Sequence, residues 1–337
     1  MTINRQWLLA ERPTGMVGPH NFKYAETPIP EPKSGEVLVK NLFLSFDPAQ
    51  RNWMVDRKAY LPPVAIGEPM RAGSVGKVIA SHHAEYQVGD LVQTTGCWQD
   101  YVVAAPGEGP MGLVKLPAGV SPEMMLSVFG ITGLTAYFGL LEIGQPKAGE
   151  TVLISGAAGS TGSFVGQIAK IKGCRVVGIA GGPDKCRWLK ETAGFDAVID
   201  YKNEDVNAQI AHHCPDKWDV FFDNVGGPIL EAALDHVNLR SRVVLCGNIS
   251  GYNATGPIPG PSNLSNLTIN RARMEGFVIL DYMPRAMEAI EDLMAWNSSG
   301  QLIYQVDLQE GFENIPVTLQ RLYAGKNLGK QLLKIGS

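Results

Sequence analysis

Between Thr151 and Cys246 the sequence passes repeatedly from a short apolar run to a helix-periodic stretch, and this alternation constrains the fold more than any other feature. Strands are expected at Thr151–Ser155, Arg175–Ala180, Ala197–Asp200, Val220–Asn224 and Arg242–Cys246, with helices opening near Ser160, Pro183, Asp205 and Pro228. Strands separated by helices pair in parallel, so an α/β fold with a doubly wound parallel sheet, a Rossmann domain, is predicted.

The first strand meets the first helix through Gly156-Ala-Ala-Gly-Ser-Thr-Gly162. In the G-x-G-x-x-G fingerprint the glycines serve a tight turn, a close approach of backbone to pyrophosphate, and helix–strand packing. The register here gives Ala157, Gly159 and Gly162, so the first glycine is replaced. Beyond Ala158 and Gly159, the amides of Ser160, Thr161 and Gly162 would still open a helix whose positive end suits an anion. An ordinary strand-to-helix turn is the plain alternative, and the surrounding alternation favours a dinucleotide.

Discrimination between NAD and NADP rests on the end of the second strand, where an acid would hold the ribose 2′-hydroxyl of NAD. The strand runs out in Ala180-Gly-Gly, and the nearby Lys185, with Arg187 in reserve, could neutralise a 2′-phosphate. NADPH is the expected cofactor. Asp184 works against this reading unless it is only a helix-start acid, and Lys185 could instead be a solvated helix residue.

Before about residue 120 the chain is rich in Pro and Gly, with β-branched runs such as Glu36–Leu44 and Gly76–Ser81. These predict a mostly β, barrel-like unit. Residues 88–103 read as two short strands around a tight connection. Residues 251–262, dense in Gly and Pro, read as a loop of functional length. The stretch from Ile303 onward reads as strand, helix and strand, rejoining the first unit. The expected division is a β-rich catalytic and substrate domain, 1–123 with 300–337, and a dinucleotide domain, 124–299.

A chain of 337 residues with 45% hydrophobic and 18% charged residues can bury two cores without staples. Its net charge of -4 and lack of a basic run argue against nucleic acid, and no apolar stretch is long enough for a membrane span. Five cysteines, odd in number and widely spaced, suit a reducing compartment, and the expected location is cytoplasmic.

Together with this constellation, Leu44-Ser-Phe-Asp-Pro, Gly133-Leu-Thr-Ala-Tyr, Gly144-Gln-Pro-Lys-Ala-Gly-Glu, Tyr201-Lys, Asp223-Asn-Val-Gly-Gly, Cys246-Gly-Asn-Ile-Ser-Gly-Tyr-Asn and Gly325-Lys-Asn-Leu-Gly-Lys carry a resemblance over nearly the whole chain. The chain resembles the zinc-independent medium-chain dehydrogenase/reductases, in the branch of prostaglandin and alkenal double-bond reductases, nearest the bacterial NADPH-dependent curcumin reductases. The resemblance implies a GroES-like catalytic domain beside the Rossmann domain, and a homodimer joined through a sheet edge. It places Gly159–Gly162 at the pyrophosphate and Lys185 and Tyr201 at the adenosine 2′-phosphate end. It puts Asn224 at the nicotinamide half, completed by Cys246, Gly247, Ile249, Ser250 and Tyr252, by Phe277 and Val278, and by Asn327. Asn224 and Asn327 could equally be turn-forming asparagines, and Tyr201 a half-buried surface aromatic.

The zinc-dependent members carry Gly-His-Glu where this chain has Gly67-Glu-Pro, and Cys97 has no partner at metal-site spacing, so no metal site is expected. That donor set favours conjugate reduction over carbonyl reduction. Hydride would go to the β-carbon of an α,β-unsaturated ketone or aldehyde and a proton to the α-carbon, with hydrogen-bond donors stabilising the enolate. Tyr252 is the catalytic candidate, either donating to the enolate or ordering a ribose hydroxyl and a water that donate; a loop aromatic walling the pocket is the alternative. Ala49, where relatives carry tyrosine, with Trp53 and Tyr60, are substrate-contact candidates, though Trp53, Met54 and Tyr60 could be core. Asp47 and Arg51 are expected to form a structural ion pair. A quinone reductase, an alcohol dehydrogenase on the same scaffold and a non-catalytic NADPH sensor are the other readings.

Overall fold

The computed structural model describes residues 3–109 and 112–336. The chain forms two compact units, Met1–Leu126 with Val306–Ser337, and Ser127–Gln305.

The first unit begins with an antiparallel hairpin, β1 (Ile3–Leu9) and β2 (Phe22–Pro28). It continues with β3 (Val37–Ser45), a one-turn helix α1 (Gln50–Trp53), β4 (Ser74–Ser81), β5 (Leu91–Thr94), β6 (Tyr101–Ala104), β7 (Val114–Lys115) and α2 (Pro122–Leu126). The β5 and β6 strands do not form the tight pair expected from residues 88–103. Instead β5 lies between β4 and β7, and β6 pairs with β3. The intervening chain is drawn inward by Trp98, fully buried between Phe22 and Phe46, with Cys97 in the left-handed region (φ 55°) to make the bend. A buried indole outweighs the short hairpin.

The second unit holds α3 (Ile131–Phe138), β8 (Thr151–Ser155), α4 (Ser160–Ile171), β9 (Arg175–Ala180), α5 (Pro183–Glu191), β10 (Ala197–Asp200), α6 (Val206–His213), β11 (Trp218–Asp223), α7 (Gly227–Leu234), β12 (Val237–Leu245), α8 (Ser265–Asn270), β13 (Arg273–Gly276) and α9 (Ala286–Ser298). Its sheet is parallel throughout, in the order β10-β9-β8-β11-β12-β13. That is the doubly wound Rossmann order, and the strand order reverses between β8 and β11. The inner strands are apolar on both faces: Val152, Leu153, Ile154, Val176, Val177, Val220, Phe221 and Phe222 are all fully buried.

The chain then returns to the first unit as β14 (Val306–Glu310), α10 (Ile315–Tyr323) and β15 (Lys330–Lys334). β15 pairs parallel with β14 and antiparallel with β3, giving the order β14-β15-β3-β4-β5-β7. Phe312, Ile315, Leu319 and Leu333 join Leu9, Leu44, Phe46 and Trp98 in one core.

Candidate functional site

The turn from β8 into α4 is built on backbone alone. Gly156 takes a positive φ of 59°, so the sharp bend falls one residue ahead of the fingerprint's first glycine, and Ala157 fits with its methyl buried. A Cβ on Gly162 would lie 2.5 Å from the Gly156 carbonyl oxygen, so this glycine lets the helix close against the turn. No side chain caps the helix at Gly159. The hydroxyl of Ser160 donates instead to Thr132 on α3, at 2.8 Å. The amides of Ser160, Thr161 and Gly162 thus open a twelve-residue helix in the manner that suits a pyrophosphate.

At the end of β9 the chain passes through Gly181 and Gly182, the latter at φ 99°. The Tyr201 ring lies over Gly181 so closely that a Cβ there would sit 2.6 Å from it. Asp200, the acid ending β10, accepts from Gly182 N (2.8 Å), Lys202 N (3.1 Å) and Asn203 Nδ2 (2.7 Å). Partial burial pushes its pKa up, but these donors prevail and hold it below the usual carboxylate range. Its role is to shape the Gly-Gly turn. Asp184 pairs with Arg187 at 3.1 Å in the open, while Lys185 is half-buried at the start of α5.

The densest polar network joins the ends of β8, β11 and β12. Asp223, fully buried, accepts from Ser155 Oγ (2.6 Å), Val225 N (3.0 Å) and Gly226 N (3.0 and 3.1 Å to its two oxygens). Burial pushes this carboxyl above its ordinary range, opposed by those donors. Two of the donors are backbone N–H groups, which can only donate, so Asp223 serves the turn as an acceptor. Ser155 Oγ in turn accepts from Asn224 N (2.8 Å), and Asn224 Nδ2 donates to Ser155 O (2.7 Å).

The loop after β12 zips onto this turn. Cys246 N and Gly247 N donate to Asp223 O, Ile249 N to Asn224 O, and both Ser250 N and Ser250 Oγ to Val225 O. Gly226 and Gly227 have positive φ, and Cβ atoms there would strike Asn248 Oδ1 at 2.2 Å and Ser250 Oγ at 2.9 Å. Tyr252 closes the loop, its hydroxyl accepting from Asn248 N at 3.3 Å. Asn224, Cys246, Gly247, Ile249, Ser250 and Tyr252 are thus brought together at the carboxyl ends of the strands, at the topological switch point. Burial pushes the Cys246 thiol up to about 12, which leaves it an uncharged packing group.

Phe277 packs edge-on against Phe222 and Tyr282, and a Cβ on Gly139 would lie 2.4 Å from its ring. Val278 follows it as the cap of a short 3-10 helix.

The remaining candidates lie in the first unit. Ala49 is the cap of α1, and Trp53 ends it, with Trp53 Nε1 donating to the Tyr60 hydroxyl at 3.4 Å and Arg71 5.5 Å from the indole centre. Asn327 is buried and donates to Gly329 O at 2.9 Å. The expected Asp47–Arg51 pair is not formed. Asp47 pairs with Lys330, and Arg51 donates to the carbonyls of Pro13 (2.9 Å) and Gly15 (3.3 Å). The long Arg51 side chain reaches the preceding loop, whereas Lys330, on the strand beside β3, already faces Asp47.

Asp223, Ser155 and Lys330 are the residues that sequence reasoning passed over. For Asp223 the signal was present: an acid after an apolar strand and before Asn-Val-Gly-Gly is an Asx-turn pattern.

Among the described residues no group of three or more His, Cys, Asp or Glu side chains is disposed to hold a metal ion. Glu68, in the Gly67-Glu-Pro segment, turns back to accept from Ala65 N. Also among the described residues, no helix is long and apolar enough to cross a membrane.

Residues 5–112 match the family described as the N-terminal domain of oxidoreductase, and residues 160–296 that described as zinc-binding dehydrogenase. The chain is 42% identical to the NADPH-dependent curcumin reductase of Escherichia coli over 98% of its own length and 97% of that protein's. It is 36% identical to prostaglandin reductase 1 of Sus scrofa over 99% and 100%. The crystal structure of CurA in complex with NADPH from Vibrio vulnificus superposes with a TM-score of 0.93 at 44% identity, covering 99% of each chain.

Proposed function

The chain belongs to the medium-chain dehydrogenase/reductase family, in the branch of curcumin, prostaglandin and alkenal reductases, and from that premise we propose that it uses NADPH to reduce the C=C bond of α,β-unsaturated ketones and aldehydes. The observation that carries the reading is the zipped pair of turns at residues 223–227 and 246–252, set at the switch point beside an uncapped helix N-terminus.

Ala158 to Gly162 hold the pyrophosphate through backbone amides. Lys185 and Tyr201 serve the 2′-phosphate and adenosine end, which the glycines at 181 and 182 leave open. Asn224, Cys246, Gly247, Ile249, Ser250, Phe277, Val278 and Asn327 serve the remainder of the dinucleotide. When bound, NADPH supplies the hydride delivered to the substrate's β-carbon. Tyr252 donates a hydrogen bond to the enolate oxygen, or orders the ribose hydroxyl and water from which the α-carbon takes its proton. Its oxygen accepts from Asn248 N, which fixes the phenol on the loop that closes over the 223–227 turn. Ala49, Trp53 and Tyr60 form the apolar substrate wall. The β-rich unit takes the substrate role and the parallel-sheet unit the cofactor role. The protein works in the cytoplasm as a homodimer joined through a sheet edge.

Steady-state turnover with NADPH and NADH across an enone panel tests the proposal. NADPH should be preferred by about tenfold or more, and Tyr252→Phe should lower kcat by about tenfold with nucleotide affinity retained. Preference for NADH would remove the role of Lys185; unchanged kinetics in Tyr252→Phe would remove that of Tyr252.

A further inference from the structure

We propose that the partly buried Asp47–Lys330 ion pair is a positioning device, which holds the substrate-wall turn and the Asn327 segment in one register and thereby sets which enones are accepted. The inference rests on the assignment of Ala49, Trp53 and Asn327 to the site.

Lys330 opens β15 with only 3% of its side chain exposed, and its ammonium donates to Asp47 Oδ1 and to Phe46 O (3.3 Å). An ammonium this deep is tolerated where a carboxylate and a carbonyl oxygen replace water. Asp47 is equally committed: Oδ2 accepts from Ser45 Oγ at 2.7 Å, and its amide donates to Gln50 Oε1 at 3.1 Å. Gln50 then donates to Arg71 O at 2.8 Å. Past the end of the β3 ladder, residues 47–50 are held by these side chains and by the turn bond from Gln50 N to Asp47 O (3.0 Å), and Ala49 caps α1 within that stretch.

The same turn is held from α10, where the Tyr323 hydroxyl donates to Pro48 O at 3.1 Å, and from β15, where Gln331 O accepts from Phe46 N at 3.1 Å. Asn327, three positions before Lys330, makes its bond within that segment, to Gly329 O. Lys330 thus ties the Phe46–Asp47 end of that turn to the 325–330 segment. The contacts of the pair are to Phe46, Ser45 and Gln50, so its effect is on placement. Misplacement of about 1 Å in a contact wall costs up to a hundredfold in rate, and unequally for substrates of different bulk.

The test compares Lys330→Met, Asp47→Asn, the double variant and the milder Ser45→Ala. The main readout is the ratio of kcat/KM for a short-chain enal to that for a diaryl enone, which a reduced folded fraction cannot alter. Each single variant should change this ratio by about tenfold, carried mainly by KM, with Ser45→Ala changing it in the same sense. In the free protein, deuterium exchange should rise in residues 47–53 and 325–330 together. A ratio within about twofold of wild type in every variant that folds, or exchange rising in only one segment, overturns the proposal. Ala49→Tyr separates the two layers of inference. If it leaves selectivity unchanged, the substrate-wall assignment fails and takes the proposal with it. If it shifts selectivity while the Asp47 and Lys330 variants do not, the positioning role alone is wrong.

Discussion

Asp223 and Asp47 solve the same problem with different partners. Asp223 ends β11 and Asp47 stands two residues past the end of β3; each organises the turn that follows and accepts from a serine hydroxyl, Ser155 on the neighbouring β8 and Ser45 two residues back. Asp223, fully buried, has no cation among its hydrogen-bond donors and is solvated by two backbone amides. Asp47, with 24% of its side chain exposed, is neutralised by Lys330. The loss of Asp223 cannot be fully compensated by a second substitution, because two of its three donor groups are backbone amides. The loss of one ion-pair partner can be, because both charges can be removed together.

The largest expected effect breaks the first half of that contrast. Asp223→Ala leaves the Val225 and Gly226 amides and Ser155 without their acceptor, at an expected cost of about 3 kcal/mol in denaturant unfolding, with loss of NADPH binding in titration. Asp223→Asn should do little better, since its amide group opposes one of the backbone donors. Recovery of full stability by Asn would mean that the carboxylate charge is not what the turn uses.

Lys330→Met should cost about 2–3 kcal/mol, less than a fully buried pair because Asp47 keeps some water. Combined with Asp47→Asn it should return to within about 1 kcal/mol of wild type in the same unfolding measurement. Failure of the double variant to recover would place Lys330 in the same class as Asp223, and the contrast would fall.

Gly162→Ala sharpens the backbone side of the comparison. The helix gains up to about 1 kcal/mol from alanine, but the methyl meets a backbone oxygen at 2.5 Å that no rotamer change can move. The clash should win, giving a loss of about 1–2 kcal/mol and roughly tenfold weaker NADPH binding by fluorescence titration.

The smallest effect is one of pH. Burial, opposed by Asp235 and the contact with Asn207, lowers the His236 pKa, so the unfolded chain takes up this proton first. Its contribution is full above the ordinary value of about 6.5 and is lost as pH falls through the lower folded value. His236→Gln should therefore flatten the decline in stability between about pH 7 and 5 by a few tenths of a kcal/mol, seen as a smaller shift in Tm.

The sequence was most legible where burial is symmetrical. The strands Thr151–Ser155, Arg175–Ala180 and Ala197–Asp200 are visible as runs because both sheet faces are covered. β13, Arg-Met-Glu-Gly, escaped notice because an edge strand needs no apolar run and its pairing to β12 uses backbone alone. The glycine turn could be read directly, since glycine positions declare backbone conformation. Lys330 could not: in Lys-Gln-Leu-Leu-Lys a lysine reads as solvated, and its partner stands 283 residues away.

The sequence by itself determined the parallel sheet, the glycine turn from β8 into α4 and the candidate loop at Tyr252, because periodicity and glycine placement are local properties of the chain. Only the tertiary structure decided which charges are buried and what neutralises them. Asp223, Asp47 and Arg51 look alike as exposed residues in the sequence, and desolvation, which exists only once the chain has closed around them, assigned each a different partner.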